Sequence, residues 1–333
     1  MTAVAYGRAN HQLQFMSLAD SSFFRIVAVI FVARALFPCS VLAADVVIPA
    51  DLQVKRNQVY KIIDQLELKY DLILPEKPSD KPAPFILHIH GGGWRGGNKE
   101  MAYHPRYLEW ARGLLKEGVV FATLEYRRAG QEGATTIESL ADCKDGLRFF
   151  FDHAGELGID PQRFGIFGGS AGGHLCLMTA LSPASAYPVS LGVDEEEVPI
   201  AACVAYYPLA HFGQPDVMKG ASYGNPGRFT PMLGGPIEEN RDLAEKLSPV
   251  NWLDSGKKMP PILLLHGDAD PVLPVRSARL FVEKAKRLDL PVTYIEAKGG
   301  NHGFSSPSEP SLEEMSKAVG RFFRESLIVS VAE

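Results

Sequence analysis

The chain has 333 residues, 46% of them hydrophobic and 22% charged, enough to bury a sizeable core in one large or two small domains. Its 34 Lys and Arg against 39 Asp and Glu leave a net charge of −5 with no long basic run. The electrostatic footprint that nucleic acid or an anionic membrane would require is therefore missing, and small neutral or mildly polar partners fit this balance better.

The first segment differs in kind from the rest. "FFRIVAVIFVARALFPCSVLAAD" sets Arg25 ahead of an apolar run and closes on small residues, the pattern of a secretory leader cut near Ala43 or Ala44. Arg34 and Pro38 break the run too much for a stable membrane span. Residues 1–44 are accordingly expected to be a signal peptide, with Met16 as a better-placed start, and residues 45–333 a single secreted or periplasmic domain. Cys143, Cys176 and Cys203 remain after cleavage, an odd number without C-x-x-C spacing, expected to be buried as small apolar side chains.

"QVYKIID" and "LELKYDLIL" alternate apolar and polar residues, as two half-exposed strands do. The pattern then changes to short, mostly apolar runs: "FILHIH" (85–90), "VVFATLEY" (119–126), "RFGIFG" (163–168), "IAACVAYYP" (200–208), "PILLLHG" (261–267) and "PVTYIEA" (291–297). Strands buried on both faces read this way, which predicts a parallel sheet. Helical spacing fills the intervals, in "PRYLEWARGLLKEG", "IESLADCKDGLRFFFDHAGELG", "AGGHLCLMTALS", "VRSARLFVEKAKRLD" and "SLEEMSKAVGRFFRESL". Alternation of this kind predicts an α/β fold, a mostly parallel central sheet with helices on both faces. Residues 209–250 break the rhythm as a Gly- and Pro-rich insertion, a place where substrate contacts are expected.

Two stretches match G-x-S-x-G, around Ser170 in "GIFGGSAGGHL" and around Ser222 in "GASYG". Only Ser170 has a buried strand before it and a helix after it, the context a nucleophile elbow requires. A serine hydroxyl needs a base, and the base needs a carboxylate to orient it. His302 in "AKGGNHGF" follows the last strand on a glycine-rich loop, and "HGDADPVLP" offers Asp268 and Asp270 after the strand before it. Asp270 lies further into its loop and is the expected partner of His302, while Asp268 is expected to tie the turn. The order Ser, Asp, His agrees with that of the α/β hydrolases.

"HIHGGGWRGG" follows a buried strand, and its glycines let backbone N–H groups approach an oxyanion. Gly92, Gly93 and the N–H of Ala171 are the expected donors, with Trp94 expected to line the substrate pocket. Tyr206 and Tyr207 suit either the pocket wall or the core. His88 and His90 lack further ligands to make a metal site, so His90 is expected to pin the glycine loop, and neither metal nor cofactor is called for.

Taken in order, "HIHGGGW", "LEYR", "IDPQRFGIFGGSAGGHL", "SPVNW", "HGDADPVLP" and "GGNHGF" resemble α/β-hydrolase serine esterases of the hormone-sensitive-lipase and bacterial feruloyl-esterase-like (BD-FAE-like) group, over about residues 56–326. The resemblance implies an α/β-hydrolase fold and carries the same roles onto Ser170, Asp270, His302, Gly92, Gly93 and Ala171. It further implies scaffold positions at Tyr126, Arg127 and Asp142. One departure is Arg128-Ala129, where many lipase-like members have an apolar residue and a proline. The expected activity is carboxylic ester hydrolysis through an acyl-enzyme, on small-molecule esters or on acetyl or feruloyl esters of polysaccharides. A peptidase or amidase of the same fold, and a non-catalytic hydrolase-like binding protein, are the competing readings.

Overall fold

The computed structural model describes residues 48–77, 80–191, 196–212 and 230–328. The expected leader, its cleavage site, Met16 and Ser222 lie outside the described residues.

Each apolar run of the sequence becomes a strand of one eight-stranded sheet. In chain order these are β1 (Gln53–Ile63), β2 (Leu66–Leu74), β3 (Ala83–Ile89), β4 (Val120–Leu124), β5 (Ile159–Gly169), β6 (Ala202–Tyr206), β7 (Ile262–Gly267) and β8 (Val292–Ala297). Their spatial order is β1-β2-β4-β3-β5-β6-β7-β8. The half-exposed pair β1 and β2 runs antiparallel, β2 meets β4 antiparallel, and every other pairing is parallel. Burial explains the difference in sequence pattern: every residue of β3, β4, β6 and β7 is buried, whereas β1 is mostly exposed and buries only Tyr60.

The intervening segments form α1 (Pro105–Lys116), α2 (Thr136–Asp152), α3 (Ala171–Leu181), α4 (Val275–Arg287) and α5 (Leu312–Leu327). Side-chain parity in β3 divides the core: Phe85, Leu87 and Ile89 join the cluster under α2, α3 and α4, and Ile86 joins the cluster under α1 and α5. Helices thus cover both faces, as a buried parallel sheet demands. α2 starts at a capping box in which Thr135 and Glu138 satisfy each other's backbone N–H groups. The sequence reading of one helix through residue 158 is corrected at His153, whose Nδ1–H donates to the Phe149 carbonyl and closes α2 before a short turn at Ala154–Leu157.

The described parts of the 209–250 insertion hold two short helices, Thr230–Leu233 and Arg241–Lys246, and lead into a 3-10 turn at Pro249–Trp252. Its flanks are tied down by buried serines: the Ser277 hydroxyl accepts from the Ala210 N–H, and the Ser248 hydroxyl from the Phe212 N–H, both at 2.8 Å. Cys143, Cys176 and Cys203 are free and buried, as the sequence led us to expect, and burial pushes their thiols up, away from the reactive thiolate. Among the described residues no helix is long and apolar enough to cross a membrane.

The register of the sheet brings β3 and β5 side by side, with Ile89 opposite Gly168. Here the backbones come so close that a Cβ on Gly168 would stand 2.4 Å from the Ile89 carbonyl oxygen, and one on Gly172 only 2.1 Å from it. Gly155, by contrast, has nothing within 4 Å of its Cβ direction. Gly168→Ala is expected to destabilise the fold by ~3 kcal/mol or more through backbone displacement, and Gly155→Ala by less than about 0.5 kcal/mol. Urea unfolding of the two variants checks this; equal midpoints would refute the close-packing account.

Candidate active site

Ser170 stands at the joint between β5 and α3, with φ 58° and ψ −120°, a conformation that L-residues rarely adopt and that holds its side chain clear of both elements. Its own N–H donates to the Tyr206 carbonyl (2.9 Å), and its carbonyl accepts from the His174 N–H (3.0 Å) at the start of the helix. The small residues around it are steric necessities, since any side chain at 168 or 172 would collide with the end of β3.

The fold brings His302 to this serine from 132 residues away: Ser170 Oγ and His302 Nε2 are 3.1 Å apart. On the other side of the ring, Nδ1–H donates to Asp270 Oδ2 at 2.7 Å. Asp270 Oδ1 accepts from the N–H groups of Val272 (2.8 Å) and Leu273 (3.0 Å), and Oδ2 also lies 3.3 Å from His266 Nε2. Burial works to raise the Asp270 pKa, but the hydrogen bonds from His266 and His302 outweigh it and hold the carboxyl well below its usual range. Asp268 takes the expected bracing part over a longer span, accepting from the Gly299 N–H at 2.6 Å and so joining the ends of β7 and β8.

The glycine loop lies beside the elbow. The Gly92 carbonyl accepts from the N–H groups of Arg95 (3.3 Å) and Gly96 (3.0 Å), and Gly92 and Gly93 adopt positive φ. Among the described residues, the N–H groups of Gly92, Gly93 and Ala171 donate to no protein acceptor. His90 pins the loop as expected, donating from Nδ1 to the Gly91 carbonyl (2.7 Å) with its ring stacked on Tyr126, whose hydroxyl donates to the His90 carbonyl (2.8 Å). Arg127 forms a fork on buried Asp142, and Lys61 completes that carboxylate's shell. His88 donates from Nδ1 to Thr123 (2.9 Å), so both histidines of "HIH" have structural partners. Among the described residues no group of three or more His, Cys, Asp or Glu is placed to hold a metal.

Trp94 corrects an expectation. Its side chain is fully buried, with its indole N–H donating to His174 Nδ1 (3.0 Å) and its ring against His174 and Phe212. It anchors the glycine loop from behind and presents no surface to a substrate. Tyr206 is core, between Tyr107 and Tyr207. Tyr207 is also buried but lies against the His302 ring, with centroids 4.6 Å apart. A cleft of about 730 Å³, lined by Thr179, Ser182, Trp252 and Lys257 among others, opens at the opposite, amino-terminal edge of the sheet and shares no residue with this site.

His174 was not singled out by the motif reading. As a histidine in the otherwise mostly apolar run "AGGHLCLMTAL" it had to find partners, and that is the signal that could have marked it. Its Nε2–H donates to the Leu247 carbonyl at 2.8 Å while Nδ1 accepts from Trp94. One imidazole therefore joins the glycine loop, the elbow helix and the insertion.

The family model described as BD-FAE matches residues 70–285, well over half of the chain. The chain belongs to the BD-FAE family. That BD-FAE match takes in Ser170 and Asp270 and stops before His302. Among curated proteins the chain is similar to the probable carboxylic ester hydrolase LipM of Mycobacterium tuberculosis, at 29% identity over 73% of this chain and 54% of the relative. It is also similar to the isoprenylcysteine alpha-carbonyl methylesterase ICME of Arabidopsis thaliana, at 26% identity over 75% of this chain and 56% of the relative. The chain thus spans just over half the length of these relatives. Among solved structures, the esterase Est2 of Thermogutta terrifontis superposes with a TM-score of 0.64 at 24% identity, covering 84% of this chain and 92% of that one. A truncated carbohydrate esterase from gut microbiota gives a TM-score of 0.67 at 23% identity, covering 82% and 96%. The fold of this BD-FAE member is the α/β-hydrolase fold.

Burial lowers the His174 pKa from its ordinary value of 6.5 to about 4, against an opposing contribution from the Leu247 hydrogen bond. A group held neutral in the fold is protonated first in the unfolded chain, so its stabilisation is complete above pH 6.5 and is lost as pH falls towards 4. The loss attributable to this residue is roughly 3 kcal/mol. His174→Gln is expected to be less stable than wild type at pH 7 and to show a flatter decline between pH 6.5 and 4. Parallel slopes for the two proteins in denaturant titrations would exclude this role.

Proposed function

We propose that this chain is a carboxylic ester hydrolase in which Ser170 is the nucleophile, His302 the general base and acid, and Asp270 the residue that orients His302 and stabilises its imidazolium. The observation that carries this reading is the continuous relay Ser170 Oγ to His302 Nε2 (3.1 Å) and His302 Nδ1 to Asp270 (2.7 Å), flanked by three unused backbone N–H groups. The esterase relatives and the family match support the same reaction class.

In the first step His302 takes the Ser170 proton as Oγ attacks the ester carbonyl. The N–H groups of Gly92, Gly93 and Ala171 receive the oxyanion, each worth ~3 kcal/mol where its loss has been measured in other hydrolases. The imidazolium, stabilised by the Asp270 carboxylate, returns the proton to the departing alcohol oxygen. Water then repeats the cycle on the acyl-enzyme, releasing the acid and restoring Ser170.

For substrate we favour acetyl or feruloyl esters on polysaccharides, supported by the sequence resemblance to feruloyl-esterase-like proteins and by the carbohydrate esterase among the structural neighbours. A secretory reading of residues 1–44 fits such a polymer outside the cell, and amino-terminal sequencing of the exported protein tests that part.

Wild type, Ser170→Ala and Ser222→Ala are to be compared on p-nitrophenyl acetate, a longer acyl ester, methyl ferulate and an aminoacyl anilide. Ser170→Ala is expected to lose about 10⁴-fold or more in kcat/KM on the esters, Ser222→Ala to stay near wild type, and the anilide to be turned over poorly. Equal, slow hydrolysis by wild type and Ser170→Ala would end the esterase reading, and faster cleavage of the anilide would favour an amidase.

A further inference from the structure

Arg106, the second residue of α1, is turned inward over the loop that carries His302. A Cβ on Gly303 would stand 2.9 Å from its Nη1 and 3.3 Å from its Nη2. Nη1–H donates to the Tyr207 hydroxyl at 2.7 Å and Nε–H to His104 Nδ1 at 3.2 Å. The Tyr207 ring lies against His302, and its hydroxyl would be 2.9 Å from a Cβ on Gly169, the residue before Ser170. A single phenol therefore ties the guanidinium to both arms of the site.

Neither acceptor of Arg106 is a carboxylate. Among the described residues no carboxylate lies within ion-pair distance of it, although Arg127, Arg148 and Arg163 hold Asp142, Asp152 and Asp160. A cation drawn partly out of water ordinarily acquires an anion, because its lost hydration is otherwise uncompensated. Guanidinium offers five N–H donors in a planar fork that matches a carboxylate, and these two bonds use two of them.

We propose that Arg106, held in place by Tyr207, is an anion subsite beside Ser170 and His302, and that the substrates are esters carrying a carboxylate near the scissile bond. This rests on the hydrolase reading given above. The carboxylate belongs to either the acyl or the alcohol portion of the ester; on a polysaccharide, a uronic acid meets this description.

The test uses ester pairs of matched shape and different charge, each normalised to its own alkaline hydrolysis rate: p-acetoxybenzoate against p-acetoxybenzamide for the alcohol side, and monomethyl glutarate against the methyl ester of glutaramic acid for the acyl side. In at least one pair the anion is expected to have a kcat/KM about tenfold or more above its neutral partner, equivalent to ~1.4 kcal/mol. Arg106→Gln is expected to bring that ratio to about one and Arg106→Lys to keep part of it. Absence of preference in both pairs overturns the proposal, as does an Arg106→Gln variant that slows both members of the preferred pair equally, the behaviour of a mere brace for the His302 loop. Calorimetric titration of Ser170→Ala with p-hydroxybenzoate, glutarate and their amides reads the subsite without turnover. Anion binding that depends on Arg106, in a protein that hydrolyses no ester, would retain the subsite and refute the hydrolase reading. Ser170-dependent hydrolysis with neither charge preference nor anion binding would do the reverse.

Discussion

The site depends on one close approach of backbone to backbone, where the end of β3 meets the turn from β5 into α3. Ile89 and His90 present their carbonyls to the space that side chains at 168 and 172 would occupy, and the Gly169 carbonyl fills the same space for Gly91. Glycine is unfavourable in a strand or helix by roughly 0.5–1 kcal/mol relative to alanine, so its placement on both sides of this contact has to be offset by what the contact makes possible. Contact here sets the glycine loop, with its free N–H groups, directly beside the elbow. With side chains between them the two would belong to separate surfaces.

Around that contact the same chemical group is put to opposite uses by its surroundings. His88, His174 and His266 are buried, and each acts as a strut: His88 on Thr123, His174 between Trp94 and Leu247, and His266 on the Leu273 carbonyl and Asp270. Burial penalises the charged form at His88 and His174, which at His174 suits a ring that accepts at Nδ1 and donates at Nε2. His302 keeps about a fifth of its side chain in solvent and has the Asp270 carboxylate at Nδ1. Position in the fold, rather than residue type, therefore separates the half-buried histidine beside Ser170 from the struts.

Strand and helix were legible because the sheet is buried on both faces and the helices are local; all eight strands coincide with runs visible in the sequence. Ser170, Asp270 and His302 were legible because each ends or follows an apolar strand within a stretch of small or polar residues. What escaped depends on partners far apart in the chain. Trp94 beside the glycines reads as a pocket residue until His174, 80 positions on, takes its N–H. Arg106 looks like any basic residue at a helix start, and nothing near it in sequence announces Tyr207, 101 positions away. Long-range pairing of single polar atoms leaves no periodicity to read.

The acid side of the relay is the most constrained part of the arrangement. Asp270 Oδ1 is taken by two backbone N–H groups, while Oδ2 faces two imidazoles, so the carboxylate cannot rotate without abandoning several bonds at once. The elbow and the glycine loop are similarly fixed by backbone contacts. Differences in what is recognised must then enter through side chains that reach the site from outside the sheet. Tyr207 has the form of such a device: it follows β6 with φ 36°, a strained position of order 1–3 kcal/mol. Its ring wedges between His302 and Phe304, and its N–H reaches the Leu265 carbonyl at 2.6 Å. Those contacts offset the strain and hold the phenol where Arg106 meets it. Recognition is thereby attached to a rigid chemical centre by one tyrosine, and can change without disturbing the relay beneath it.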